Sequence, residues 1–295
     1  MAKGRSIREF LEEGKPLFSV EFFPPRDEAG GERILATAKS LAPHQPDFVS
    51  ITYGAGGGTR ATTMRYARIL REEHGFEVMP HLTCVGHTRD ELLEILDDFA
   101  EAGFCNVMAL RGDPPKGETE FKTVPGGLRY GSDLVALVRE RFPHFGIGVG
   151  GYPEKHPEAP DMATDLSHLK TKVDAGADFI TTQLFFDNRD YLDFVAACRA
   201  MFKVPQPTVG REGEVDRVVE PLELGHPAAL SQRPHPHRVG LAVSDEGAVR
   251  PTMEINRSGA LPPIPTHMRL ALRAAAEHSL LRLFQPMQVL NAPCR

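Results

Sequence analysis

Apolar residues along the first two thirds of the chain fall into two alternating textures. Short dense apolar runs without clean alternation occur at Leu17–Phe23, Asp47–Tyr53, Val78–Cys84, Asn106–Arg111, Gly146–Tyr152 and Phe179–Phe186. Runs of this kind suit strands buried on both faces. Between them, at Arg60–His74, Asp90–Ala102, Ser132–Phe142, Ala163–Ala175 and Arg189–Phe202, apolar residues recur three and four apart, most clearly as Leu92, Leu93, Leu96 and Phe99. That spacing lines one face of a helix. From Leu17 to about Phe202 the two textures make six strand–helix units, at the repeat of about 30 residues that a βα unit needs.

Strands alternating with helices, with no strand-only block, predict a parallel sheet that is either a closed barrel or an open doubly wound sheet. No Gly-x-Gly-x-x-Gly follows the first strand, and polar residues gather at the C-terminal ends of several strands, where a barrel has its mouth. The predicted fold class is therefore α/β, a (β/α)8 TIM-like barrel whose last two βα units are atypical or missing. Residues 1–204 hold units one to six, and 205–295 form an atypical C-terminal segment. There, Gln206–Pro265 is dense in Pro, Arg, His and Gly and lacks either periodicity. Arg238–Val243 reads as one short strand and His267–Phe284 has the Leu and Ala content of a helix. Six units alone would leave two open sheet edges where strands seven and eight belong. The segment is either irregular in its own right or the product of a reading-frame shift near Val204, its composition then reflecting base composition rather than packing.

Length and composition narrow the function classes. The 295 residues accommodate one large domain, an α/β barrel taking roughly 250. With 41% hydrophobic and 25% charged residues there is material for a sizeable core. A net charge of −6 without clustered Lys and Arg argues against a nucleic-acid partner and for small-molecule chemistry. Glu9, Glu12 and Glu13 stand where a secretory signal would place its apolar stretch, and no apolar run is long enough to cross a bilayer, so a cytoplasmic protein without a membrane partner is expected. Cys84, Cys105, Cys198 and Cys294 are scattered away from metal-ligand spacing, which predicts reduced thiols and no metal.

Chemistry-bearing residues collect at the predicted strand ends. Glu21 lies inside Phe18-Ser19-Val20-Glu21-Phe22-Phe23-Pro24-Pro25, a lone carboxylate among apolar and aromatic side chains. Desolvation raises a carboxyl pKa, so such a group can stay protonated near neutral pH and act as a general acid; a buried Glu paired with a base on a neighbouring strand is the equal alternative. Thr52 and Tyr53 offer hydroxyls before a glycine cluster that permits close ligand approach or is a plain turn. Arg111 and Asp113 flank Gly112: they are either an exposed ion pair, or a cation for a phosphate or ring oxygen beside an acceptor for a heterocycle N–H. His81, Tyr152, His156, Asp165 and Lys172 extend the polar group, although a lone strand His is commonly structural and a helical Lys commonly a solvated face residue, and Gln183 adds an amide suited to a flat heteroaromatic edge or to the backbone.

Taken together, Glu21-Phe22-Phe23-Pro24-Pro25, Ile51-Thr52-Tyr53-Gly54-Ala55, Arg111-Gly112-Asp113-Pro114, Tyr152-Pro153-Glu154-Lys155-His156-Pro157-Glu158, and Lys172-Val173-Asp174-Ala175-Gly176-Ala177 followed by Thr182-Gln183 and Phe185-Phe186 resemble the bacterial-type, FAD-dependent methylenetetrahydrofolate reductase family, in order, over about residues 17–202. The resemblance implies FAD at the barrel mouth, with Thr52, Tyr53, His81, Arg111, Gly112, Asp113, Tyr130, Gly131, Tyr152, His156, Asp165 and Lys172 as its contacts. It implies NADH or NADPH as electron donor, a folate substrate held by Asp113 and Gln183, Glu21 as the acid with Asp113 assisting, and a homo-oligomer if the barrel closes. Gly131 stands where the family usually has Ala, and His168 and Thr171 replace residues that help bind the adenine portion. After Val204-Pro205 the family's closing strands are not recognisable, so an inactive or partly folded flavin-binding remnant is the alternative to an active enzyme.

Overall fold

The computed structural model describes residues 4–13, 17–53, 60–114, 117 and 121–202, together with the backbone of three later strands. Its elements run α1 (Ile7–Glu12), β1 (Ser19–Phe22), α2 (Glu28–Leu41), β2 (Phe48–Ile51), α3 (Arg60–Glu72), β3 (Val78–Thr83), α4 (Arg89–Glu101), β4 (Asn106–Leu110), α5 (Gly131–Arg141), β5 (Gly146–Gly151), α6 (Met162–Asp174), β6 (Phe179–Thr182), α7 (Asn188–Met201), β7 (His237–Val243), β8 (Val249–Ile255) and β9 (Val289–Asn291). β1 to β6 lie side by side in chain order and all parallel. The protein is thus an α/β TIM-like fold of six strand–helix units, as the periodicity predicts.

Helix starts carry local signals. Thr88 and Glu91 form a reciprocal cap before α4, the Glu91 carboxylate accepting from the Thr88 amide at 2.8 Å, and the helix then buries Leu92, Ile95, Leu96 and Phe99. Asp27 caps α2 by accepting from the Gly30 amide at 2.6 Å, and Asp161 caps α6 by accepting from Thr164 at 2.7 Å. α1 and α2 were not among the predicted helices; α1 is too short to show a period, and Gly30-Gly31 disguises the start of α2.

Side chains along each strand alternate between two cores. Val20, Phe22, Val49, Ile51, Val78, Leu82, Val107, Val149 and Ile180 pack outward against the helices. Phe48, Met79, Met108 and Phe179 point the other way and meet Ile7, Leu11 and Leu17 in a second cluster. Hence α1 plugs the N-terminal floor of the barrel. Asn106, fully buried on β4, holds it there by accepting from the Ile7 amide at 2.7 Å and donating to the Arg5 carbonyl at 2.9 Å.

The two edges of the six-stranded sheet are covered, contrary to the expectation of open edges. β7 pairs parallel with β1, β8 pairs antiparallel with β7, and β9 pairs antiparallel with β6. β8 and β9 also approach each other, so the sheet curls round on itself. The strand expected at Arg238–Val243 is β7, whereas antiparallel β8 and β9 replace the remaining strand–helix units. Hydrogen bonding is the reason: an unpaired edge strand leaves amides and carbonyls unsatisfied, and either strand direction satisfies them. The expected helix at His267–Phe284 lies outside the described residues, as does Cys294. Among the described residues no helix is long and apolar enough to cross a membrane.

Each of the first six predicted strands overshot its C-terminal end. β2, β4, β5 and β6 stop before Thr52, Arg111, Tyr152 and Gln183 respectively, because those residues turn into the loops that form the mouth.

Candidate active site

Above the floor, the inward positions turn polar. β1 contributes Glu21, β2 contributes Ser50 directly opposite it in register, and β3 contributes His81. All three are buried. The Ser50 hydroxyl donates to Glu21 Oε2 at 3.4 Å, and His81 Nε2 lies 3.4 Å from the same oxygen. That approach is a contact and not a hydrogen bond, and His81 Nε2 has no hydrogen-bond partner among the described residues. A carboxylate at this distance favours imidazolium, but burial acts more strongly and pushes His81 down to about 4. The imidazole is therefore neutral near neutral pH, and the contact is not an ion pair.

β5 supplies no side chain to this interior. Its inward positions are Gly146, Gly148 and Gly150, while Ile147 and Val149 face the helices. A Cβ at Gly146 would stand 2.4 Å from Asn106 Oδ1, and one at Gly148 would stand 2.5 Å from the Phe179 ring, so both glycines are filled by neighbours. At Gly150, among the described residues, nothing comes closer than Leu110 Cδ2 at 3.8 Å. The stripe thus packs tightly at the floor and opens at the mouth.

The mouth is built from loops that the strands aim. Gly112 has φ +89°, and a Cβ there would come 2.5 Å from Val85 Cγ1, so only glycine lets the β4 loop lie against the β3 loop. That packing presents Arg111, whose guanidinium forks onto Glu158 through two 2.6 Å bonds. The pair raises Arg111 and lowers Glu158 from their ordinary values. After β5 the chain turns through Lys155, a non-glycine residue at φ +74°, which sets Tyr152 and His156 edge to face with ring centroids 4.5 Å apart. The Asp165 carboxylate accepts from the His156 amide at 2.9 Å, and Lys172, two turns further along α6, donates to the Gly150 carbonyl at 3.0 Å. Burial lowers Lys172, against the pull of Asp165, and raises Tyr152, helped by Asp113 and Asp165. Arg111, Tyr152, His156, Asp165 and Lys172 are thus one connected group.

Other candidates stand apart from it. The Tyr53 ring joins the core against the helices, its hydroxyl 3.1 Å from His87 Nε2, and burial drives it up to about 12. Thr52 is half-buried and its amide donates to the Phe22 carbonyl at 2.9 Å. Tyr130 is exposed against the Arg129 guanidinium, and Gly131 opens α5 where a Cβ would stand 3.3 Å from the Arg111 amide nitrogen. Asp113 and Gln183 are exposed at the rim, the Gln183 side-chain oxygen accepting from the Leu184 amide at 2.9 Å. Among the described residues no cluster of His, Cys, Asp or Glu is placed to hold a metal, and Cys84, Cys105 and Cys198 are buried free thiols.

Ser50, Thr83, Gly150, Glu158 and Thr181 were not singled out from the sequence. Strand alternation is the signal that finds most of them: Thr83 follows His81 by two, Gly150 precedes Tyr152 by two and Thr181 precedes Gln183 by two. Thr83 and Thr181 are buried with hydroxyls that lack a hydrogen-bond partner among the described residues. Orphaned inward hydroxyls, open space at Gly150 and the cations Arg111 and Lys172 suit a flat, polar-edged heterocycle carrying an anionic chain. The residues present therefore fit a flavin dinucleotide.

A family model described as methylenetetrahydrofolate reductase matches residues 6–208. Among curated relatives, the chain is 43% identical over 203 residues to methylenetetrahydrofolate reductase (NADH) 1 of Arabidopsis thaliana, covering 65% of this chain and 34% of that one. It is 41% identical over 201 residues to 5,10-methylenetetrahydrofolate reductase of Pectobacterium carotovorum subsp. carotovorum, covering 68% and 64%. With the Escherichia coli (strain K12) protein of the same name it shares 41% over 186 residues, covering 63% and 60%. The chain thus spans about a third of the plant relative's length and less than two thirds of the bacterial ones.

Proposed function

The chain belongs to the methylenetetrahydrofolate reductase family, and from that premise we propose that it reduces 5,10-methylenetetrahydrofolate to 5-methyltetrahydrofolate at the mouth of its barrel. The observation that carries the reading is Glu21, a buried carboxyl on the inner face of β1, lying below a cationic, polar rim. When bound, FAD supplies the two-electron relay, taking electrons from NADH or NADPH and passing them to the folate methylene carbon in separate half-reactions.

The protein's own residues bind, orient and move a proton. Arg111 offers the planar fork that suits a phosphate or a ring oxygen, and it exchanges Glu158 for the ligand as the ligand enters. Lys172 adds positive charge beside Gly150, and Thr83, Thr181, Tyr152 and His156 furnish hydroxyls and ring faces on the inner wall. Asp113 and Gln183 hold the pterin from the rim. Ring opening of the substrate breaks a carbon–nitrogen bond, and the departing nitrogen needs a proton, which Glu21 donates. Water regains access after product leaves and restores that proton.

The decisive measurement is the anaerobic absorption spectrum of the purified full-length chain. Yellow protein that NADH or NADPH bleaches and methylenetetrahydrofolate recolours supports the reading. Colourless protein, or bleached protein that the folate does not recolour, overturns it and leaves an inactive remnant.

A further inference from the structure

The resemblance assigns His81 to the flavin, yet the structure turns its Nε2 toward the acid. Nε2 of His81 on β3 and the hydroxyl of Ser50 on β2 converge on one oxygen of Glu21, Oε2, each at 3.4 Å. All three groups are buried, so bulk water does not compete for that oxygen. A carboxylic acid has one carbonyl oxygen, which accepts, and one hydroxyl oxygen, which donates. Ser50 donates to that oxygen and the unpartnered Nε2 of His81 faces it at the same distance, which favours the arrangement in which that oxygen is the carbonyl.

We propose that His81 and Ser50 are positioning residues for Glu21: together they make Oε2 the accepting oxygen, so that Oε1 carries the transferable proton. The inference rests on the reading of Glu21 as the acid and adds the device that aims it. His81 serves through its Nε2–H tautomer, and its neutrality follows from its burial between the strands. An imidazolium there would transfer its own charge to the site and hold Glu21 ionised, with no proton to give. The Glu21–Ser50 pairing is set by strand register, because the two residues are directly opposite across β1 and β2, while His81 reaches the same oxygen from the next strand.

The test uses the full chain with His81→Leu, His81→Gln and Ser50→Ala, and Glu21→Gln as reference. Gln places an N–H donor close to the position of Nε2, so it is the conservative variant. In flavin-free protein, isotope-edited infrared spectroscopy reads the carboxyl C=O stretch of Glu21, identified by its loss in Glu21→Gln. Expected is a band that moves to higher frequency in His81→Leu and in Ser50→Ala and returns toward its original place in His81→Gln. In flavin-loaded protein, His81→Leu is expected to slow folate-dependent reoxidation by about tenfold or more, since misplacing a reacting group by about 1 Å costs on the order of 100-fold. Flavin retention and its reduction by NADH stay unchanged, and His81→Gln recovers most of the loss.

A Glu21 band that is absent from the parent protein, or that does not move in either variant, overturns the proposal. So does a His81→Leu protein that loses flavin or slows both half-reactions alike, which makes His81 a cofactor contact. Failure of the parent reading looks different: Glu21→Gln itself then leaves folate-dependent reoxidation intact. If His81→Leu does not fold, Ser50→Ala and His81→Gln decide the question by the same two readouts.

Discussion

Glu21 and His81 meet across the inner face of the barrel, Oε2 to Nε2 at 3.4 Å, although β2 lies between their strands. Parallel strands tilt and stagger in a curled sheet, which lets inward side chains from alternate strands share a layer. The hydroxyl of Ser50 completes that layer from the strand between them. The arrangement joins a buried acid to a neutral imidazole in one water-poor pocket, and most of the expected behaviour follows from it.

Glu21→Gln keeps the side-chain volume and its hydrogen-bonding capacity but removes the acidic proton. Folate-dependent reoxidation of the reduced protein is expected to fall by about 10²–10⁴-fold, the usual contribution of a general acid. Flavin retention and bleaching by NADH should match the parent protein in stopped-flow and equilibrium titrations. Equal loss in both half-reactions would remove Glu21 from its assigned role.

Acid sensitivity should arise partly from His81. In the unfolded chain this imidazole takes up a proton near its ordinary value of 6.5, whereas in the folded protein burial lowers it to about 4. Between those values the unfolded state binds the proton that the folded state refuses, so stability is complete above the upper value and is lost as pH falls toward the lower one. The loss amounts to on the order of 3 kcal/mol. Burial also lowers His87 and His156, and they add to the slope. Urea midpoints across the interval should therefore flatten, without becoming level, in His81→Gln; an unchanged slope contradicts the assignment.

The glycine stripe of β5 predicts opposite outcomes two residues apart. Gly148→Ala drives a methyl into the Phe179 ring, 2.5 Å from the new Cβ, and should destabilise by about 1–3 kcal/mol in thermal or urea unfolding. Gly150→Ala meets nothing closer than 3.8 Å among the described residues and should leave stability near that of the parent. Because it fills space assigned to the cofactor, it is expected to weaken flavin binding by about tenfold, or ~1.4 kcal/mol. Full flavin affinity in Gly150→Ala would show that the ligand lies elsewhere.

Asn106 ties the plug to the floor. Replacing it by Ala strands the Ile7 amide and the Arg5 carbonyl without their side-chain partner and should cost about 3 kcal/mol. The damage lies at the end of the barrel opposite the mouth, so at a denaturant concentration where the variant remains folded its flavin affinity should be that of the parent. Loss of flavin from fully folded Asn106→Ala protein would show that floor and mouth are coupled.

Much of this was legible along the chain. Dense apolar runs at Val78–Cys84 and Asn106–Arg111 marked strands buried on both faces, and the spacing of Leu92, Leu96 and Phe99 marked the covering helix, because both cores draw on local periodicity. Glu21 and Arg111 stood out, one as a charge in apolar company and the other as a charge at a strand end, whereas Lys172 was reached only through the family resemblance. Tyr53 did not, since its motif pointed to the mouth while its ring packs under the helices beside His87. The partner of Arg111 was also hidden: Glu158 is far along the chain, and only the fold of the Lys155 turn brings it within 2.6 Å.

By itself the amino-acid order determined the number and direction of the first six strand–helix units, the family to which they belong and the residue types that could do chemistry, because periodicity, caps and motifs are properties of neighbours in the chain. Which oxygen of Glu21 meets His81 and Ser50, which glycine of β5 leaves room for a ligand, and how β7 and β9 cover the edges were decided only by tertiary structure. Those depend on strand register, stagger and curl, which bring together atoms that nothing in the local sequence relates.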